Sequence, residues 1–251
     1  MKVLSITNLK GGVAKTTIAY NLAGVLAERG KRVLLIDMDY QANLTTLFEG
    51  EEPRFETGAN IAKVLLESLP LSQAIYESGI PNVWLVPADI DLSLLDARYQ
   101  SDLNAHFLLA ELLEIERERF DYVLIDCPPH LFLGTRMALV ASDGYLVPVA
   151  ADRFSLRAAM HVLQVAENIR KRANRDLQLL GIVMTRVMRR RVSDQYLEIF
   201  REHFNSKLLT TQIKERTVIQ EAATHGSPIS VFEPKGEAAE MFRSLANEIH
   251  L

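Results

Sequence analysis

The feature that most constrains this chain is the stretch Ile6–Thr17, ITNLKGGVAKTT, a glycine-bearing turn that follows an apolar run and opens a helical pattern. Backbone N–H groups of such a turn, with the positive end of the helix behind it, form an anion cradle that needs few side chains. A turn of this kind needs a strand before it and a helix after it. In this setting Lys15 would reach the β- and γ-phosphates of a nucleotide, and the Thr16 hydroxyl would ligate Mg²⁺.

The rest of the chain supplies matching units. Apolar, β-rich runs recur at Lys2–Thr7, Arg32–Asp37, Val83–Pro87, Asp121–Asp126, Gly144–Val149 and Leu177–Thr185. Their hydrophobicity is nearly continuous, as in strands buried on both faces. Stretches with apolar residues three and four apart lie between them, at Thr17–Arg29, Ala105–Arg119, Ser155–Lys171, Ser193–Phe204 and Glu237–Ile249. Strand then helix, repeated, predicts an α/β fold with a parallel sheet. No long Pro/Gly/Ser-rich linker interrupts the order, so a single domain over 1–251 is expected. The polar segment Glu49–Gly58 reads as an exposed loop.

The turn departs from the common phosphate-loop pattern G-x-x-x-x-G-K-[ST], because counting back from Lys15 places Ala14 and Leu9 at the two glycine positions. What it carries is K-G-G-x-x-K-T, from Lys10 to Thr16. This resembles the deviant Walker A motif of the ParA/MinD family of ATPases. The resemblance implies a doubly wound, mostly parallel sheet with helices on both faces, in the P-loop NTPase architecture. It implies ATP and Mg²⁺ as cofactors, bound by Lys10, Gly11, Gly12, Val13, Ala14, Lys15, Thr16 and Thr17. It further implies that Lys10 reaches across a dimer interface to the partner subunit's nucleotide.

Two further segments match. The run Asp37-Met38-Asp39-Tyr40-Gln41-Ala42-Asn43 stands where the family writes D-x-D-P-Q-x-N, with Asp39 lying 24 positions after Lys15. Carboxylates at the end of a strand beside the phosphate loop face the crevice where open α/β sheets bind ligands; they also suit turn or helix caps. By the resemblance Asp39 positions the attacking water and Asp37 lies near the metal. Tyr40 replaces the family's proline, which removes a fixed φ beside Asp39. Asp126-Cys127-Pro128-Pro129 is similar to the Walker B segment, so Asp126 would hold Mg²⁺ through water, with Thr16 and Asp37 completing the expected metal set. Lys10, Lys15 and Asp39 are the expected catalytic residues. Cys127 reads as a small buried apolar residue.

Further along, Ile213–Ile229 is similar to the family's base-contacting segment, with Lys214, Glu215 and Arg216 where Pro, Arg and Asn are usual. Ile213, Lys214 and Arg216 are the expected contacts there, and the preference for ATP over GTP rests on the family alone.

Charge separates the two halves. Residues 1–150 hold 12 basic and 20 acidic side chains, and residues 151–251 hold 16 and 12, giving −8 and +4. A polyanion would meet the second half. There Arg186, Arg189, Arg190 and Arg191 crowd into TRVMRRRVSD, a cluster suited to neutralising phosphates without reading sequence. In ParA-type members this surface helps bind DNA once ATP has closed the dimer; Arg216 is a weaker candidate. Arg170, Lys171, Arg172 and Arg175 suit the dipole at a helix C-terminus instead.

Other branches are excluded by what is missing. One cysteine cannot supply the two per subunit that a bridged iron–sulfur cluster needs. The final stretch EAAEMFRSLANEIHL has one Arg against three Glu, unlike a basic lipid-binding helix, so no membrane partner is expected. The last tyrosine is Tyr196, which excludes a tyrosine-rich kinase tail. The first strand run begins at Lys2, so no helix-turn-helix extension or operator binding is expected.

The expected function is a cytoplasmic ParA-type ATPase, nucleoid-associated when ATP-bound. It would form a homodimer on ATP, bind double-stranded DNA non-specifically and answer to a ParB-like or other adaptor that stimulates hydrolysis. Its cargo would be a plasmid, a chromosomal locus or a protein assembly. The alternatives are an ATP-dependent small-molecule ligase or kinase of the same fold, or a MinD-like membrane-associated ATPase.

Overall fold

A computed structural model describes residues 1–49, 55, 58–187 and 191–251. In chain order the elements are β1 (Lys2–Ile6), α1 (Lys15–Glu28), β2 (Val33–Asp37), α2 (Asn43–Thr46), α3 (Ile61–Glu67), β3 (Tyr76–Glu77), β4 (Val83–Val86), α4 (Leu95–Arg98), α5 (Leu108–Ile115) and β5 (Tyr122–Asp126). They continue as α6 (Leu133–Ala141), β6 (Gly144–Ala150), α7 (Arg153–Arg172), β7 (Gln178–Val187), α8 (Arg191–Phe204), β8 (Leu208–Lys214), α9 (Thr217–Thr224), α10 (Ile229–Phe232) and α11 (Glu237–Glu248).

The strands form one eight-stranded sheet in the order β3-β4-β2-β5-β1-β6-β7-β8. Every pair is parallel except β3 with β4. The expected doubly wound, mostly parallel architecture is therefore present. β2 through β5 lie on one side of β1 and β6 through β8 on the other, so the strand order reverses beside the phosphate loop, where such sheets bind ligands. In register Ile6 and Asp37 both lie opposite Asp126, which brings the C-terminal ends of β1, β2 and β5 to one level.

Alternate strand residues serve opposite faces. Val33 and Leu35 pack with α1 and α11, whereas Leu34 and Ile36 pack with α3, α5 and α6. A further cluster joins β6 and β7 to α7 and α8 through Val147, Val149, Ile182, Met184, Phe200 and Phe204. α1 is buried at every residue from Ile18 to Leu26. Gly24 is required there, because a Cβ would lie 2.5 Å from Pro228 at the start of α10. The one buried amide in that stretch is satisfied, since Asn21 donates to the Thr17 carbonyl and accepts from the Ile229 N–H. α11 turns Ala238, Ala239, Met241, Phe242, Leu245 and Ala246 into the same core, so its apolar face is already covered.

Several expectations need correcting. β8 was not among the expected strands; its LLTTQIK sequence is polar at the centre and only partly buried, so no continuous apolar run marks it. The helix expected over 105–119 begins as a 3₁₀ turn and ends at Ile115, where ERER offers no apolar residue to continue the stripe. The segment expected as an exposed loop lies largely outside the described residues, but Phe55 within it is buried and meets the Tyr76 ring edge-on at 5.2 Å. Among the described residues no helix is long and apolar enough to cross a membrane.

Candidate nucleotide site

The phosphate loop closes the gap between β1 and α1. Gly12 (φ 72°) and Ala14 (φ 67°) are both left-handed, and Ala14 is the N-cap of α1. The first turn of α1 contains no acidic residue, which leaves its N–H groups and positive pole to an anion. Lys15 is buried, with 7% of its surface exposed, and its ammonium donates to the Lys10 carbonyl at 3.3 Å across the loop. Burial holds its pKa below the usual lysine value, against the pull of Asp126 and Asp39.

Thr16 and Asp126 meet directly, the hydroxyl donating to Oδ2 at 2.6 Å, while Asp126 Oδ1 is buried with no partner among the described residues. Burial, reinforced by the neighbouring Asp37, raises the Asp126 pKa well above the carboxylate range. An orphaned carboxylate oxygen beside a hydroxyl, at the foot of an anion cradle, fits a hard cation that keeps water and phosphate as its other ligands. Among the described residues no group of three or more His, Cys, Asp or Glu could hold a metal without such help.

Asp37, the third expected metal residue, is occupied otherwise. Its Oδ1 accepts from the Asp39 N–H at 3.1 Å, and its Oδ2 accepts from both the N–H and the hydroxyl of Thr45, at 2.9 and 2.8 Å. Both oxygens brace the loop after β2, so Asp37 holds the Asp39 N–H while lying close enough to Asp126 to raise its pKa. Thr45, which the sequence did not flag, also accepts from the Ala88 N–H and ties that loop to the one after β4. Asp39 is nearly buried at the cavity wall and accepts from the Gln41 N–H.

Tyr40, in the family's proline position, stacks on His130 with centroids 6.2 Å apart and planes 18° from parallel, and His130 in turn meets Phe132 at 4.7 Å. The loop that carries Asp39 is thereby packed against the loop that follows Asp126. Aromatic contact takes over part of the restraint a proline ring would give. Cys127 is fully buried, and burial pushes its thiol up, as expected of an inert residue.

A cavity of about 390 Å³ joins these groups to residues distant in sequence. One end is lined by Gly11, Gly12, Lys15, Thr16 and Asp39, the other by Ile213, Lys214, Glu215, Arg216 and Ile219, with Arg186 between. The structure thus brings the expected loop residues and the expected Ile213, Lys214 and Arg216 into one site. Val13 is buried away from the cavity, its carbonyl accepting from the Thr185 hydroxyl, and Lys10 is the other exception. It does not line the cavity; its ammonium pairs with Asp152, the carboxylate that caps α7 by accepting from the Phe154 and Ser155 N–H groups. The sequence signal for Asp152 was an ordinary Asp N-cap ahead of a helical stripe.

Of the expected DNA residues, Arg186 and Arg216 both line this cavity. Arg186 Nη1 donates to the Gly12 carbonyl at 3.0 Å, so its guanidinium lies on the phosphate loop. Arg216 pairs with Glu237 at 3.0 Å, as Lys214 does at 2.9 Å. Arg189 and Arg190 lie outside the described residues, and Arg191 opens α8. Arg170 and Lys171, read as an ordinary helix end, both pair with Glu167.

A glycine-bearing strand-to-helix loop, a buried lysine, a Thr–Asp pair and a cavity of this size at the strand-order reversal define a P-loop protein of the nucleoside-triphosphate class. Comparison with known proteins narrows the class. A family model described as an AAA domain matches residues 1–179. The sporulation initiation inhibitor protein Soj of Bacillus subtilis is 33% identical over 249 residues, covering 99% of this chain and 98% of that protein. The chromosome partitioning protein ParA of Caulobacter vibrioides is 34% identical over 253 residues, covering 99% and 94%. Among solved structures, cobyrinic acid a,c-diamide synthase from Mycobacterium smegmatis, with bound ATP analogue and magnesium, gives a TM-score of 0.86 at 28% identity over 98% of this chain and 93% of that one. McdA of Cyanothece gives 0.90 at 24% identity over 99% of both chains, a likeness of fold. The chain belongs to the ParA/MinD family of P-loop ATPases.

Proposed function

We propose that this chain is a ParA-type positioning ATPase that alternates between a single chain and an ATP-closed homodimer. The supporting observation is the position of Lys10. It is part of the phosphate loop yet lies outside its own cavity, tied to Asp152, while Lys15 is the one of the loop's two lysines that lines the cavity. A lysine that does not serve its own phosphates is available to another subunit's.

Within the site, Gly11 through Thr17 and the α1 N-terminus hold the phosphates, Lys15 offsets their charge, and Thr16 with Asp126 hold Mg²⁺. ATP supplies the cleavable anhydride, and Mg²⁺ supplies a counter-charge to what develops on it. Asp39, fixed by Asp37, orients a water against the terminal phosphate. Lys10 leaves Asp152 for the partner's phosphates, so ATP favours the closed dimer by differential affinity for that state. Closure places two arginine segments, Arg189–Arg191 of each subunit, on one duplex and doubles the phosphate contacts. Hydrolysis removes the bridge and frees the DNA. A ParB-like adaptor accelerates that step, and the cargo is a plasmid, a chromosomal locus or a protein assembly. The protein is cytoplasmic and nucleoid-associated when ATP-bound.

A second reading, an ATP-dependent small-molecule ligase, draws on the likeness to the diamide synthase. Binding of a random-sequence duplex at low and moderate salt separates the two. The positioning reading expects binding that requires ATP, weakens with salt and disappears in Arg189/Arg190/Arg191→Ala. Absence of duplex binding under every nucleotide, with ATP binding intact, favours the ligase.

A further inference from the structure

Asp39 sits between two attachments to the chain that ends β5 and follows it. On one side the Met38 N–H donates to the Asp126 carbonyl at 2.9 Å, just beyond the β2–β5 pairing. On the other side the Tyr40 ring stacks on His130, with centroids 6.2 Å apart and planes 18° from parallel. The first attachment is backbone and follows from the sheet. The second is made by two side chains.

The turn between them shows what the second attachment does. The Asp39 carbonyl accepts from the Ala42 N–H at 2.8 Å, so 39–42 form a β-turn with Tyr40 at its second position. Proline is favoured there because its ring presets φ, whereas tyrosine leaves φ free. The Asp39 side chain adds a local bond, Oδ1 accepting from the Gln41 N–H at 3.1 Å. The bonds from the Asp39 N–H and from Thr45 to Asp37 tie the loop back to its own strand. Across to the loop after β5, the turn is tied by the Tyr40 ring.

His130 is fixed to receive that ring. Its carbonyl accepts from the Thr135 hydroxyl at 2.5 Å, which anchors it to the start of α6, and its imidazole also meets Phe132 at 4.7 Å. Its Nδ1 is buried with no hydrogen-bond partner among the described residues, so ring contact rather than a polar bond holds it. Neither Tyr40 nor His130 lines the nucleotide cavity, whereas Asp39, joined to Tyr40 by one peptide bond, does.

Resting on the reading of Asp39 as the residue that orients the attacking water, we propose that Tyr40 and His130 are positioning residues for Asp39. Their stack holds the turn, and with it the carboxylate, at a fixed place relative to Thr16 and Asp126. The requirement is for two rings; the tyrosine hydroxyl and the imidazole nitrogens are dispensable.

The test combines steady-state hydrolysis, equilibrium titration with ATP, and hydrogen exchange of the Gln41 and Ala42 amides in nucleotide-free protein, on full-length variants with unchanged melting profiles. Tyr40→Ala and His130→Ala should each lower kcat by about three- to tenfold, the strength of one stacked aromatic pair, and change ATP affinity by less than about twofold. The double variant should lose no more than either single one, as residues in one contact do. Tyr40→Phe and His130→Phe, which keep the rings, should retain kcat within about twofold. With proline at 40, His130→Ala should cost nothing further, because φ is then preset. Exchange at Gln41 and Ala42 should quicken in the alanine variants and not in the phenylalanine ones. The proposal is overturned if the single alanine variants leave kcat unchanged, if their losses multiply in the double variant, or if ATP affinity falls as far as kcat. Failure of the underlying reading is distinct: Asp39→Ala would then hydrolyse ATP like wild type, while exchange would still quicken in the alanine variants.

Discussion

The two ends of the cavity are built in opposite ways. At the phosphate end the ionisable groups are buried, with Lys15 and Asp39 at 7% exposure and Asp126 at 1%, and they are held by backbone within a few residues of one another or across paired strands. At the other end the charged side chains are partly exposed, 53% for Arg186 and 40% for Lys214, and they are placed by contacts between elements far apart in sequence. The contrast is one of energetics. A buried charge must have its partner in place before a ligand arrives, whereas solvated ion pairs contribute little and rearrange at small cost. Chemistry belongs at the first end and selection at the second.

If that division holds, the largest effect comes from the phosphate end. Asp39→Ala should lower ATP turnover by about 10²- to 10⁴-fold, the usual worth of a positioned carboxylate. Binding of ATP should change by less than about threefold, because Asp39 lines the wall without filling the cradle. Steady-state hydrolysis beside equilibrium titration reads both, and an equal loss in the two would erase the distinction.

The next effect concerns pH. Burial raises the Asp37 pKa from 3.8 to about 6, against the hydrogen bonds from Thr45 and Asp39, and Asp126 is shifted the same way. A carboxyl raised in the folded state binds its proton more tightly there than in the unfolded chain, so stability falls as pH rises from about 4 to about 6, by roughly 3 kcal/mol for Asp37 alone. Asp121 and Glu167, each lowered to about 2 chiefly by bonds to Arg32 and Arg170, act oppositely: their contribution is present above their unfolded values and lost as pH falls toward 2. Metal- and nucleotide-free protein should therefore melt highest near pH 4 and lose stability between about pH 4 and pH 6. A melting temperature that declines steadily from pH 7 downward would contradict the burial argument.

Ala14→Gly probes the loop itself. Glycine removes the left-handed penalty at φ 67°, and stability should rise by up to about 1 kcal/mol, or roughly 2–4 °C in melting temperature. The smallest effect belongs to the exposed end: Glu237→Gln releases both Lys214 and Arg216, yet melting should move by less than about 1 °C and ATP affinity by less than about twofold. A larger loss would show that the exposed end is as preorganised as the buried one.

The same contrast explains what could be read in advance. The phosphate end was legible because its parts are local: KGGVAKTT lies between one strand and one helix, and Asp39 and Asp126 follow apolar runs that announce β2 and β5. Continuous hydrophobicity revealed the central strands for the same reason, since they are covered on both faces. β8 escaped because it is an edge strand with Thr210, Thr211 and Gln212 at its centre. Asp152 escaped because its significance is created by tertiary contact, 142 residues from Lys10. The Arg186 contact to Gly12 was not legible for a related cause: it spans 174 residues and depends on a left-handed backbone at the end of β7.

The central claim is that Lys10 exchanges Asp152 for the nucleotide of a second subunit. Sedimentation velocity of Asp39→Ala, which should hold ATP uncleaved, with Mg²⁺ and either ATP or ADP, tests it most directly. The account predicts a doubled mass with ATP, a single chain with ADP, and a single chain with ATP when Lys10→Ala is added. A mass independent of nucleotide, or a dimer that survives loss of Lys10, would contradict it.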